Sequence, residues 1–232
     1  MSSKRGVLRT DATRRNRQIS FPDPGAISGL LTGVSFIGGV GGAAALADLP
    51  YPRPGSEPEE IRRYFTENSS LARLSATGQL ISTLSLARFT ASVARLAERS
   101  GRGSQGLRTA AVAGGALATT SLATSALCTL ALSGRWGEDD ASAATLARRG
   151  FAAGGPIHGV GFGMMTGALA LAALRTGELP RTVAITGLLS AAAGLLSPLY
   201  FVKETAGWLI PVGRFSGLLV SGIAGVRLGR PR

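Results

Sequence analysis

Between Arg149 and Arg175 the chain runs through 25 consecutive residues without one charged side chain. A helix that crosses a bilayer needs about 20 mostly apolar residues, because in hydrocarbon each backbone N–H and C=O must be satisfied within the helix. Residues 150–174 meet that demand, and so do 25–47, 109–133 and 182–202. The run at 207–226 carries a single charge, Arg214. In 71–92 the uncharged stretch LSATGQLISTLSLA is bracketed by Arg73 and Arg88, whose long side chains can snorkel to the interfaces. The expected fold is therefore all-α: a polytopic membrane helix bundle of six transmembrane helices. Residues 1–24 form a basic N-terminal tail, 25–226 the six-helix domain and 227–232 a basic C-terminal tail.

Six spans put both termini on one side, and the distribution of arginine says which side that is. Segments 1–24, 93–108, 175–181 and 227–232 hold 15 basic and 4 acidic residues, a net of +11. The opposite connections hold 7 basic and 9 acidic residues, a net of −2. Both termini are thus expected in the cytoplasm, with the protein in a bacterial inner membrane. The overall +12 is mostly an orientation signal, which argues against nucleic acid as a partner. Of the 25 basic residues only Lys4 and Lys203 are lysine, a bias that points to a GC-rich genome such as an actinobacterium's.

The start of the chain invites a second reading. Thr13-Arg14-Arg15 is similar to a twin-arginine leader, and Ala45-Leu46-Ala47 to a small-residue cleavage site. Arg17 stands where such a leader carries an apolar residue, and the apolar run of 23 residues exceeds the ~7–15 of a signal peptide core. A retained first span is the expectation. Cleavage would leave the other five spans oriented as before.

In the first external loop, Ser56 and Glu59 have the spacing of a capping box, with Pro58 in the first turn. Ile61, Tyr64 and Phe65 then share one face of a short helix. Such a helix is expected on the outer membrane surface, with both aromatic rings at headgroup level, leading into span two or serving as a binding lid. Trp136, in the second external loop GRWGEDDAS, reads as an interfacial anchor. PGSEPEEIRRYFTENSSLARL and ALRTGELPRTVAITGLL together resemble loops of an uncharacterised family of small actinobacterial membrane proteins. The resemblance implies six helices across most of residues 25–230 and brings no activity or catalytic residues. Span two departs from that family in being rich in Ser and Thr, which suggests that it lines a polar interior.

Small residues recur every fourth position on three spans: Gly29 and Gly33; Gly155, Gly159, Gly163 and Gly167; and Gly213 and Gly217. Each series leaves a flat groove into which another helix packs backbone to backbone, within the chain or in a homo-oligomer. Polar groups inside the spans are few. Gln79, the single histidine His158 and Arg214 each fall about 10–14 Å below the outer end of their helices. Charged groups at such depth usually face a bundle interior or a wet cavity. These three residues are therefore the candidate ligand-binding set, an outward-opening pocket suited to an anionic or polar ligand. The competing reading bonds His158 to a backbone carbonyl of its own or a neighbouring helix, with Pro156 disturbing the helix ladder, and has Arg214 snorkel outward or pair with Glu204 or a backbone carbonyl.

One His and one Cys rule out an ordinary zinc site or bis-His haem within the chain, and no nucleophile–base motif accompanies His158. No catalytic residue, metal or cofactor is expected. The sequence reads first as a non-catalytic membrane binding or scaffold module. Its partners would be membrane lipids, with a second copy or another membrane protein as a further possibility. The alternative is a transporter-like or ligand-sensing protein built on the outward pocket.

Overall fold

Each apolar run forms a helix, since a chain surrounded by hydrocarbon can satisfy its backbone groups only along itself. The structure, a computed structural model, describes Asp23 and residues 25–230, and among these it has helices and no strand. The helices are α1 (Ser28–Leu46), α2 (Pro58–Glu67), α3 (Ser69–Glu98), α4 (Ser104–Leu132), α5 (Asp140–Thr176), α6 (Arg181–Phe201) and α7 (Glu204–Leu228). Among the described residues, α1, α4, α5, α6 and α7 are long and apolar enough to cross a membrane, so this is a helical bundle of membrane type. At 30 residues α3 has the length, but its serines and three arginines leave it less apolar than the other five. The basic tail, with its twin-arginine-like stretch, lies outside the described residues.

The long helices close a ring in the order α1–α3–α4–α5–α6–α7, and the second half of α5 also reaches α3 and α7. At one end, hereafter the termini end, the Asp23 N–H donates to the Leu228 carbonyl at 3.2 Å. The opposite, α2 end carries residues 47–57 and the start of α5. That start lies ten residues before the expected span because Asp139 caps it, its carboxylate accepting the Ser142 N–H at 2.9 Å. The same bond holds the Asp139 carboxyl below its usual range. At the other end of α5, Gly177 takes φ +70°, a left-handed stop that lets the chain turn straight into α6.

Small residues set how closely the ring closes. A methyl group on Gly163 would come 2.9 Å from the Ala191 carbonyl, and one on Gly213 2.8 Å from the Gly194 nitrogen. Gly159 and Gly167 also seat on α6, Gly29 and Gly33 meet α7, and Gly217 meets Ser190 of α6. The expected glycine series therefore pack within the chain. Gly155 departs from its series, with only the Phe151 ring and Ile210 beyond 3.5 Å. Tight contacts outside those series include Gly39, where a methyl would come 2.6 Å from the Gly78 Cα, and Gly114 against Gly161.

Two apolar clusters result. The larger joins Leu86, Phe89, Phe162, Met165, Leu169 and Val220 through the middle of the bundle. The smaller, at the α2 end, joins Ile61, Tyr64 and Phe65 to Leu132 and Ala143. The apolar stripe of α2 is real, but it is spent on α4 and α5 rather than on the membrane surface. The capping box is also absent. Pro58 takes the first helical position, which puts Glu57 at the N-cap, and Ser56 Oγ instead accepts the Arg53 N–H at 3.1 Å.

Candidate functional site

Two helices widen by one residue where the α2 end begins to open. In α5, residues Ala153–Ile157 form a π turn around Pro156, which has no N–H to give. The His158 N–H then bonds the carbonyls of Ala153 and Gly155 and skips that of Gly154. The Gly154 carbonyl instead receives the Arg214 Nη2 from α7. In α1 a matching π turn spans Ile37–Gly41, where glycines at 38, 39 and 41 offer little resistance to the wider coil.

Between these turns lies a cavity of about 450 Å³, walled by α1, α3, α4, α5 and α7 and rimmed by residues 51–58. The rim is held by Tyr51, whose ring meets those of Tyr64 and Phe65 edge-on at 5.2 and 6.0 Å. Phe36, Val40, Phe65, Leu132, Phe151 and Ile210 make the walls apolar. Ser75, Gln79, Ser125 and Thr129 supply hydroxyl and amide groups. Cys128 lines the cavity as well and is the only cysteine in the chain.

Among the described residues, Arg214 is the one cation in the cavity's interior; Arg53, Arg148 and Glu57 are exposed at the rim. Its guanidinium lies 4.9 Å from the centre of the Phe36 ring, a cation–π contact that ties α7 to α1. Its Nε is buried and has no hydrogen-bond partner among the described residues. The ion pairs among the described residues, Arg62–Asp140, Arg95–Asp23 and Arg108–Glu98, are all elsewhere, and Glu204 is not paired with it. A half-buried cation compensated by one carbonyl and one ring, with its Nε wholly buried, is costly for the fold, and an incoming anion would relieve that cost.

Of the three residues expected to converge, Gln79 and Arg214 line this cavity and His158 does not. The Gln79 amide reaches Ser75 Oγ at 3.4 Å, leaving hydrogen-bonding capacity for a ligand. His158 is buried, its Nδ1 3.0 Å from the Ala118 carbonyl of α4 and its ring stacked on Phe162 at 5.5 Å between centres. The imidazole thus fastens α5 to α4 behind the cavity wall, as the carbonyl reading of the sequence anticipated. Phe36, Cys128, Phe151 and Gly154 carry no sequence signal as lining residues, apart from the glycine–proline cluster that hints at a disturbed helix. The serines of α3 divide: Ser75 faces the cavity, while Ser82 Oγ donates to the Thr32 carbonyl at 3.0 Å and fastens α1. Comparison with protein-family models, curated proteins and solved structures finds no match for this chain.

Proposed function

We propose that the protein is a ligand-binding membrane protein of the sensing or transport-like kind, with the cavity as its site and an anionic small molecule as its ligand. The observation that supports this over a pure scaffold is Arg214, a cation with an unpartnered Nε in an apolar-walled cavity. Gln79, Ser75 and Thr129 add orienting hydrogen bonds, and no residue is assigned a catalytic role. The charge distribution of the sequence supports an orientation with both termini in the cytoplasm and the cavity open to the outside of a bacterial inner membrane. In that orientation α3 is the sixth span, and the exposed Trp136 anchors the outer interface. The resemblance to small actinobacterial membrane proteins agrees with this arrangement and adds no activity to it.

Cys128 provides the test, as a single thiol inside the cavity. Purified protein in liposomes is treated with a sulfonate-bearing and a trimethylammonium-bearing methanethiosulfonate, and labelling is followed by mass spectrometry. With each rate taken relative to that reagent's rate with a free thiol in solution, field focusing by Arg214 is expected to favour the anionic reagent about tenfold, a preference that Arg214→Gln abolishes. Equal rates for the two reagents in the unaltered protein would refute an anion site here.

A further inference from the structure

The seam between α1 and α7 has two faces. On the inner face Phe36 and Arg214 line the cavity; on the outer face their chain neighbours Ile37 and Phe215 line a separate groove of about 910 Å³. That groove follows the seam toward the termini end past Val34, Leu219 and Ile223 and finishes at Arg227 and Arg230. Its walls are otherwise apolar, and Ile37 and Phe215 are more exposed than buried. The Phe36–Arg214 contact is therefore the partition between a charged chamber and an apolar furrow on the bundle's outer surface.

The seam is weakest at that partition. Toward the termini end it is held by backbone contact: a methyl on Gly225 would come 2.6 Å from the Ala26 carbonyl. Beyond Gly33 the π turn carries α1 onto α3, where Gly39 meets Gly78, and away from α7. Gly38, on the groove side, has no atom within 4 Å of where a side chain would begin.

From this placement we infer that the ligand is a long-chain anionic amphiphile taken from the membrane. Its acidic head sits on Arg214 in the cavity, its chain lies in the α1–α7 groove, and the Phe36–Arg214 contact parts to admit it. Phe215 to Val226 spans about 16 Å of helix, room for a long alkyl chain. Charge and polarity fit along the ligand: the cavity offers a cation with no anionic partner among the described residues, and the groove an apolar trough. A fully water-soluble anion would have no use for that trough.

The inference rests on the cavity's being an anion site, and one assay separates the two. Cys128 labelling by the anionic reagent is measured in liposomes of zwitterionic lipid with added stearate or, for comparison, butyrate. Stearate is expected to slow labelling about fivefold, as occupancy of about four-fifths of the molecules would, and butyrate at the same concentration is not. Gly38→Leu, whose Cβ has open space around it and whose branched end occupies the groove, is expected to abolish protection by stearate and keep the preference for the anionic reagent. That retained preference also reports that the variant folds. Protection that survives Gly38→Leu, or equal protection by stearate and butyrate, overturns the portal and leaves the anion site standing. Loss of reagent preference in the unaltered protein overturns both.

Discussion

The two halves of α1 show what a glycine does when a neighbour arrives and when none does. In the half nearer the termini end, Gly29 and Gly33 bring α1 against α7, and Gly225 of α7 answers against Ala26. In the other half, Gly38 and Gly42 have nothing within reach, and the helix leans on α3, with Gly39 against Gly78. The first half makes a dry seam sealed by backbone contact. The second makes a partition of one arginine and one phenylalanine between two cavities. Composition is similar in both halves, so the difference comes from the π turn and from the position of α7.

Substitutions on either side of that divide should differ in size and in kind. The largest effect is expected from Gly225→Leu, which drives a side chain into the Ala26 carbonyl. It should cost about 3 kcal/mol or more, read as loss of a monodisperse peak and a collapsed melting temperature in detergent. His158→Ala should follow at about 2–3 kcal/mol, through the cavity it leaves and the unpaired Ala118 carbonyl. It should leave the reagent preference of Cys128 unchanged, and a lost preference would place His158 in the binding site after all.

Arg214→Met should separate stability from binding. Removing a poorly compensated, half-buried cation is expected to leave thermal stability equal or raise it by about 1 kcal/mol, while the anion preference disappears. A marked drop in stability would make Arg214 a structural residue instead.

At the termini end, burial pushes the Asp23 carboxyl up, but hydrogen bonds from Arg95 and the Gly25 N–H outweigh it and hold the group below its usual value. A lowered folded pKa means that the contribution is present above the ordinary carboxylate range and is lost as pH falls through the folded value. Because Arg95 is half exposed, the loss should be about 1 kcal/mol or less. Asp23→Asn should flatten the fall in melting temperature between neutral and acid pH. The smallest effect is expected from Gly38→Leu, within about 0.5 kcal/mol of the unaltered protein or slightly stabilising. A large loss there would mean that the open half of the seam is closed.

Much of the fold was legible because it is local chemistry. Uncharged runs near membrane thickness become helices whatever surrounds them, and small residues at four-residue spacing mark faces for close packing. The positions of Gln79 and Arg214 at one depth also followed from counting residues along helices. The partner of each group did not. His158 is at the same depth as Arg214 yet turns to Ala118, because the coil widened at Pro156 sets which way the following residues point. The stripe of α2 was correct as a pattern and misassigned as a surface, since periodicity says which residues share a face and not what covers it.

The sequence alone thus determined an all-helical chain of membrane type, its glycine faces and a single deep arginine. These depend on residue type and spacing along one helix. Only the tertiary structure decided that two π turns widen the bundle at one end, that Gly154 compensates Arg214, and that Phe36 closes the wall beside it. Those outcomes depend on the rotation of one helix against another, which backbone contacts between distant glycines fix and no single segment encodes.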